Sequence, residues 1–463
     1  MRIEGDSTRP TYDLITYDEN GNERTDDPHA GGGLMSDIVL QSIADRPVTD
    51  VFLMSHGWMG DVPAAISQYN DWSAAMMRCE KDRAAIKNLR PNFRSYLVGI
   101  HWPSLPLGDE EMRPTLESPD AVDVSSMSFS AGEEDPLAKF FDAGLSDSER
   151  SRKALGTILE TIRGDDVPDS MPWEVEEAYK TLWEEAGLSS DGLAGAPGSD
   201  GEGFDPKVMF QQIKDAPDDM DFSFGVGSKA VGAIKAAFAG VLRGISFWKM
   251  KQRACDFGES GGRRLINALR ERIGEDARIH LMGHSFGCIV MSATVAGKGG
   301  NEPLVQPVDS LLLAQGALSL WSYCSDIPKA RDVQGYFHST PRDGKVAGPI
   351  VTTQSRFDTA VGKLYPPAVG VAGQVAFANP DPNDLPRYGA VGAYGLHGPG
   401  LDIQNQKMLG VDESYGFEGG KIYNLDSDHV INEGKGAAGA HSDIAKAEVG
   451  HAFWEAAMTE RKG

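Results

Sequence analysis

Short apolar runs alternate along this chain with longer segments whose apolar residues recur at helical spacing. The runs have the length of strands and few polar positions, which is typical of strands buried on both faces of a parallel sheet. We therefore predict an α/β fold, with a mostly parallel central sheet flanked by helices. The predicted strands are 51–54, 96–100, 277–282, 310–314, 349–353 and 421–425. Residues 11–24 are predicted to form a hairpin with Asn20-Gly21 at its turn.

The alternation is interrupted by one long segment, which divides the chain into predicted domains. Residues 1–104 and 251–463 form the predicted core, and residues 105–250 are a predicted cap or lid insertion. A chain of 463 residues exceeds the roughly 250–300 at which a single hydrophobic core stops growing. Within the core, residues 363–420 are rich in glycine and proline and are predicted to be a loop excursion.

Charge is concentrated in the predicted insertion. The net charge is −24, and residues 105–222 hold 29 acidic against 9 basic residues, so this segment carries most of the excess. A solvated surface insertion is one interpretation, and an acidic lid that repels anionic substrates is the alternative. We expect no nucleic-acid partner for such a surface.

The acidic block is followed directly by a basic amphipathic helix. Residues 223–253 contain six basic residues and no acidic one. Apolar residues recur at steps of three and four from Val231 to Trp248, which is one face of a helix. We predict that a helix over residues 229–251 packs as a lid over a pocket. The alternative, a helix lying on a membrane, is less favoured because three glycines weaken it as a free helix.

Composition limits the remaining possibilities. There is no apolar run of about 18 residues, so no membrane span is expected. The beginning of the chain lacks the apolar stretch of a signal peptide, and the four cysteines are scattered, so a cytoplasmic protein is expected. Neither a phosphate-binding loop nor a metal-ligand spacing is present, so we expect no cofactor and no metal. The oligomeric state stays open.

The pattern Gly-x-Ser-x-Gly carries the strongest chemical signal. Residues 283–287 follow a predicted strand and precede an uninterrupted apolar segment of helix length. Strand, motif and helix in that order are typical of a nucleophile elbow, in which Ser285 is lifted above the edge of the sheet. The pattern also occurs at residues 258–262, without a preceding strand. We interpret that second copy, with Ser260, as the glycine-containing beginning of a helix.

With these elements the chain resembles the α/β-hydrolase superfamily. Within it the chain is similar to bacterial serine hydrolases that have a His-Gly-Trp strand end, a Trp-Pro-Ser strand end and a late His-Ser-Asp-Ile. The resemblance covers residues 45–104, 250–365 and 420–460. It implies a Ser–acid–His triad in that chain order, an oxyanion hole of two backbone N–H groups, and hydrolysis of esters or related acyl compounds.

The resemblance implies Asp358 as the acid, because it follows a strand on the carboxyl side of the elbow. It implies His441 as the base, in the His-Ser-Asp-Ile sequence, at the beginning of a terminal helix over residues 442–460. Several competitors stay open at this stage. They are Asp326, Asp426 and Asp428 for the acid, and His429 for the base, while His451 is interpreted as a packed or surface residue of the helix.

The oxyanion hole implied by the resemblance pairs the backbone N–H of Trp58 with that of Phe286. The predicted function is that of a serine esterase that cleaves carboxylic esters through an acyl-enzyme. The expected partner is a small-molecule or acyl ester substrate. Two alternatives stay open: an amide or acyl-peptide hydrolase with the same triad, and a non-catalytic interaction protein on a hydrolase fold.

Overall fold

The computed structural model describes most of the predicted core and part of the predicted insertion. The segments 105–147 and 216–232 of the insertion, and 365–384 of the excursion, lie outside the described residues. The described residues are 1–58, 60–104, 148–164, 167–188, 196–197, 204–215, 233–274, 276–328, 330, 332–364, 385–386, 388–434 and 438–462.

The described residues contain a single nine-stranded sheet. Its strands are β1 (Arg2–Ile3), β2 (Tyr12–Thr16), β3 (Asp50–Ser55), β4 (Ser95–His101), β5 (Arg278–His284), β6 (Ser310–Ala314), β7 (Ile350–Gln354), β8 (Ile403–Lys407) and β9 (Ile422–Asp426). Their order is β1-β2-β4-β3-β5-β6-β7-β9-β8, and only the β1–β2 pair is antiparallel. The α/β prediction is confirmed: the sheet is mostly parallel and helices flank it.

The helices cover the sheet on both faces. The α-helices of the described residues are α1 (Met35–Asp45), α2 (Val62–Arg78), α3 (Glu80–Leu89), α4 (Glu149–Arg163), α5 (Trp173–Glu185), α6 (Pro206–Lys214), α7 (Ala233–Phe257), α8 (Arg263–Arg272), α9 (Gly287–Ala296), α10 (Ser339–Arg342), α11 (Val391–Tyr394) and α12 (Ala447–Met458), of which α4, α5 and α6 belong to the insertion. Successive residues of a strand point to opposite faces. In β3, Val51 and Leu53 therefore join the apolar core on one face, while Phe52 and Met54 join the core on the other. No helix of the described residues is long and apolar enough to cross a membrane.

Strand order determines where a site can form. The chain runs from β3 to β4 on one side and later places β5 on the other side of β3. Ligands of open α/β sheets bind at such a reversal, beyond the carboxyl ends of the strands. The register pairs Ser55 of β3 with Gly283 of β5, so the loops that follow these two strands begin side by side.

The described part of the insertion is helical. Helices α5 and α6 pack against α7, whose residue Phe238 is fully buried. The ring centroids of Phe238 and Phe210 are 4.6 Å apart. The backbone carbonyl of Phe238 accepts a 2.7 Å hydrogen bond from the Tyr179 hydroxyl. Phe238 of the predicted stripe therefore packs within the helical insertion, while Val231, where the predicted stripe begins, lies outside the described residues.

The second Gly-x-Ser-x-Gly lies inside one helical segment and does not begin it. Residues Gly258–Gly262 form a π-helical turn between α7 and α8. A Cβ atom at Gly258 would lie 2.5 Å from the Val290 carbonyl oxygen, and one at Gly262 would lie 2.2 Å from the Thr294 hydroxyl. The glycines thus allow a close crossing with α9. The Ser260 hydroxyl donates back to the Asp256 carbonyl at 2.7 Å.

Three further sequence predictions need correction. The terminal helix begins at Ala447, so His441 lies in a preceding turn and does not open the helix. The predicted loop excursion contains α11 and strand β8, which was missed because its Ile-Gln-Asn-Gln-Lys sequence is polar and lies at the sheet edge. The predicted hairpin forms only one bridge, between Tyr17 and Glu23, since β2 pairs with β1 and β4 instead.

Candidate active site

Ser285 occupies a strained turn between β5 and α9. Its φ is +56°, in the left-handed region that residues other than glycine rarely adopt. The turn is tight on both sides: a Cβ at Gly283 would lie 2.3 Å from the Gly287 carbonyl oxygen, and one at Gly287 would lie 2.2 Å from the Ser55 carbonyl oxygen. Only glycine fits both positions. Such strain is characteristic of functional sites, where the surrounding structure holds an unfavourable conformation.

Asp358 and His441 form a buried acid–base pair. The Asp358 Oδ2 and His441 Nδ1 atoms are 2.7 Å apart, and the Asp358 side chain is completely buried. The same Oδ2 accepts a 2.9 Å hydrogen bond from the Gln315 side-chain amide, and Oδ1 accepts a 3.1 Å bond from the Val361 N–H. The carboxylate is thus fixed at both oxygens, and it orients the imidazole through Nδ1.

Backbone pairing holds the loops of this pair together. Asp358 and Gly439 form an antiparallel bridge. The Ala440 N–H donates to the Phe357 carbonyl at 2.8 Å, and the Ala360 N–H donates to the Ala438 carbonyl at 3.3 Å. Because backbone hydrogen bonds join the two loops on both sides of Asp358, the position of Asp358 relative to His441 is fixed by the backbone.

His284, the residue before Ser285, connects the elbow to His441. Its ring centroid lies 4.8 Å from that of His441, and its Nε2–H donates to the His441 carbonyl at 2.9 Å. Its Nδ1 therefore accepts from the Gln68 side-chain amide at 3.2 Å. Burial, with a further contribution from His441, lowers the pKa of His284 to about 3, so His284 stays neutral as a hydrogen-bonding spacer.

The competing acids and bases have other surroundings. His429 and Asp326 are exposed. The Asp428 carboxylate lies 3.1 Å from the Arg356 guanidinium and also accepts a 2.9 Å hydrogen bond from the backbone N–H of Arg356. His451 is buried in α12 and bonded to Asp82 at 2.7 Å, in keeping with a packed residue. Of the candidates named from the sequence, Asp358 and His441 are the pair that the structure brings together.

The loop after β3 lies directly against Ser285. A Cβ at Gly57 would lie 2.6 Å from the Ser285 Cβ and 3.2 Å from its Oγ. The next residue, Trp58, stacks on Phe286 with ring centroids 5.9 Å apart. Phe286 is the N-cap residue of α9. Its N–H therefore lies before the first intrahelical hydrogen bond and donates to no carbonyl of that helix. The positive end of the helix dipole lies at the same place.

The insertion reaches this site through Phe247 of α7. Its ring centroid lies 5.8 Å from that of Trp58 and 5.1 Å from that of Phe286. Phe247 is thus a side chain of α7 that contacts the site, and it did not belong to the predicted apolar stripe. Phe238, which does belong to that stripe, packs on Phe210 within the insertion.

Gln315 is a site residue that the sequence did not reveal. It follows β6 directly, is fully buried, and has a φ of +46°. Its amide oxygen accepts a 2.8 Å bond from the Thr353 hydroxyl, and its backbone N–H donates to that hydroxyl at 2.9 Å. This pairing aims the Gln315 amide nitrogen at Asp358. The only sequence signal is its place at the carboxyl end of a buried strand.

A second group of titratable side chains joins α3 and α12. Asp82, His451 and Glu455 each offer one possible metal-ligand atom, and these atoms lie within 4.8 Å of one another. The Asp82–His451 hydrogen bond and the bonds that Glu455 accepts from Ser414 and Tyr415 already occupy the group. We interpret it as a structural charge cluster.

Comparison of the chain with protein-family models, with curated proteins and with solved structures finds no match.

Proposed function

We propose that the protein is a serine hydrolase of the α/β-hydrolase type that cleaves carboxylic esters. The observation that carries the proposal is the left-handed backbone of Ser285 at the junction of β5 and α9. The position of the Asp358–His441 pair supports it, because these residues follow β7 and β9 and so complete the chain order Ser, acid, His. The β4-β3-β5 strand order supports the hydrolase fold.

In the proposed reaction Ser285 Oγ attacks the ester carbonyl carbon while His441 Nε2 takes the hydroxyl proton. The charge of the resulting imidazolium is stabilised by Asp358. The N–H groups of Trp58 and Phe286 donate to the oxyanion. His441 returns the proton to the leaving alcohol, and a water molecule then hydrolyses the acyl-enzyme by the same steps.

In this proposal the insertion is a cap and α7 forms one wall of the acyl site. The contacts of the Phe247 ring support this role, because its partners Trp58 and Phe286 provide the two N–H groups of the proposed oxyanion hole. The proposal also places the enzyme in a reducing cytoplasm, since none of its four cysteines forms a disulfide.

A panel of nitrophenyl esters of increasing acyl length tests the proposal. We expect hydrolysis by the natural protein, loss of hydrolysis in Ser285→Ala with unchanged circular dichroism, and near-normal turnover in Ser260→Ala. The Ser260 variant is a matched control because it removes the serine of the other Gly-x-Ser-x-Gly. Activity retained by Ser285→Ala but lost in Ser260→Ala would overturn the assignment.

A further inference from the structure

The next inference rests on the proposed function, because it concerns the peptide group that carries the Trp58 N–H. His56 follows β3, is 1% exposed, and uses both ring nitrogens in hydrogen bonds. Nδ1 lies 2.8 Å from the Gly57 carbonyl oxygen, and Nε2 lies 2.9 Å from Nδ1 of His101 at the end of β4. The sequence pattern indicates no role for either ring.

These two bonds determine which nitrogen of His56 carries the proton. A carbonyl oxygen can only accept, so the Nδ1 that contacts Gly57 must be the donor. Burial, reinforced by the electrostatic effect of the neighbouring His101, lowers the pKa of His56 well below its usual value, so the ring holds one proton only. Nε2 is therefore an acceptor, and the His101 Nδ1–H is its donor.

The bond to Gly57 also orients the following N–H. The carbonyl of Gly57 and the N–H of Trp58 belong to one planar peptide group, and the described chain contains no cis peptide bond. In a trans peptide the C=O and N–H bonds point in opposite directions. Fixing the carbonyl on His56 thus turns the Trp58 N–H away from the imidazole, in a loop whose Gly57 touches Ser285.

The His56 residue is itself held rigidly. Its ring stacks on Trp102, with centroids 5.8 Å apart and planes 8° apart. The backbone carbonyl of His56 accepts a 3.1 Å hydrogen bond from the Trp102 indole, and the backbone N–H of His56 donates to the Tyr69 hydroxyl at 2.8 Å. An imidazole fixed in this way can hold a peptide plane in one orientation, which is what a preorganised oxyanion hole requires.

We propose that His101 and His56 are positioning residues of the oxyanion hole: His101 holds His56 in the Nδ1–H tautomer, and His56 holds the Gly57–Trp58 peptide in the orientation that presents the Trp58 N–H. Neither histidine touches the reacting atoms. Their effect is expected in the transition state, where the oxyanion forms, and only weakly in substrate binding.

Two pairs of amide substitutions test this proposal. An asparagine can place an N–H donor where the histidine Nδ1 lies, whereas a glutamine places its amide nearer to Nε2. We expect His56→Asn to retain kcat within about threefold, and His56→Gln to lose roughly tenfold to a hundredfold with KM nearly unchanged. Likewise, His101→Asn retains the donor, and His101→Gln lowers kcat about tenfold. The kcat values are normalised to the concentration of active sites, which is determined by titration. Thermal unfolding is recorded for each variant.

The second readout is inhibition by a trifluoromethyl ketone, which forms a tetrahedral adduct with a serine nucleophile. Its Ki is expected to rise in the Gln variants in proportion to the fall in kcat/KM, as for a transition-state analogue. Equal kcat values for the Asn and Gln variants would overturn the positioning role, even if both variants unfold at lower temperature. Absence of hydrolysis by the natural protein would overturn the proposed function itself, and this inference with it.

Discussion

Gln315 donates its side-chain amide to Asp358 at 2.9 Å, on the same carboxylate oxygen that accepts His441 Nδ1. The two residues are 43 positions apart and come from the carboxyl ends of neighbouring strands. Gln315 keeps a left-handed φ to make this contact. The bond fixes the rotation of the carboxylate, which in turn fixes the ring of the proposed base.

Replacing Gln315 by methionine removes this donor while keeping the side-chain volume similar. We expect kcat to fall about tenfold, because the Asp358 carboxylate loses one of its buried hydrogen bonds and is oriented less firmly. Steady-state kinetics with a nitrophenyl ester measure the effect. The matched control is Gln404→Met, since Gln404 is exposed on the edge strand β8. Equal rates for the two variants would remove Gln315 from the site.

Asp358→Asn and His441→Ala should each lower kcat by roughly 10³ or more, as in other serine triads. Asparagine cannot stabilise an imidazolium, and alanine leaves Ser285 without a base. His429→Ala is the control, because His429 lies exposed beyond β9 and was the competing candidate. Loss of activity in His429→Ala with full activity in His441→Ala would reassign the base.

The contrast between Phe247 and Phe238 of α7 tests the role of the insertion. Phe247→Ala should raise KM for long-chain esters more than for acetate, because its ring lies against Trp58 and Phe286. Phe238→Ala should instead lower the free energy of unfolding by roughly 3–5 kcal/mol, since its fully buried ring packs within the insertion. Kinetics on esters of two lengths and urea unfolding separate these effects. The same acyl-length dependence in both variants would argue against a wall formed by Phe247.

The His451–Asp82 pair should make stability depend on pH. Burial opposes the charge on His451, but the hydrogen bond and charge of Asp82 outweigh it and raise the pKa of His451. A raised pKa in the folded state stabilises the protein fully below the unfolded value of about 6.5, and this contribution is lost as pH rises through the folded pKa.

His451→Gln should therefore destabilise the protein more at about pH 5.5 than at about pH 9. Urea unfolding followed by circular dichroism at the two pH values gives the difference. His429→Gln is the control, because that histidine is exposed. A destabilisation by His451→Gln that is the same at both pH values would show that His451 contributes packing and no charge.

Much of the core could be predicted from the sequence because its strands are buried on both faces. The predicted strand at residues 310–314 has the same bounds as β6, and the other five predicted strands differ by one or two residues at their ends. Strand β8 escaped prediction because its side chains are polar and partly exposed, so no apolar run marks it. Pattern alone also placed the beginning of α12 too early, because residues 440–444 form turns before the helix begins at Ala447.

The site residues likewise include some that a local sequence pattern indicates and others that it does not. Ser285 has a local signal, since the two glycines and the flanking strand and helix are adjacent in sequence. The roles of Gln315, His56 and His101 depend on contacts between strand ends and on a left-handed φ, which no local pattern expresses. Phe247 escaped because it lies nine residues after Phe238, on the opposite face of α7 from the Phe238–Phe210 contact.

Labelling with a fluorophosphonate, followed by peptide mass spectrometry, tests most directly whether Ser285 is an activated nucleophile. We predict one adduct per chain, located on Ser285, formed rapidly by the natural protein and at a greatly reduced rate by Asp358→Asn. No adduct on the folded protein, or an adduct on another serine with Ser285 unmodified, would contradict this prediction.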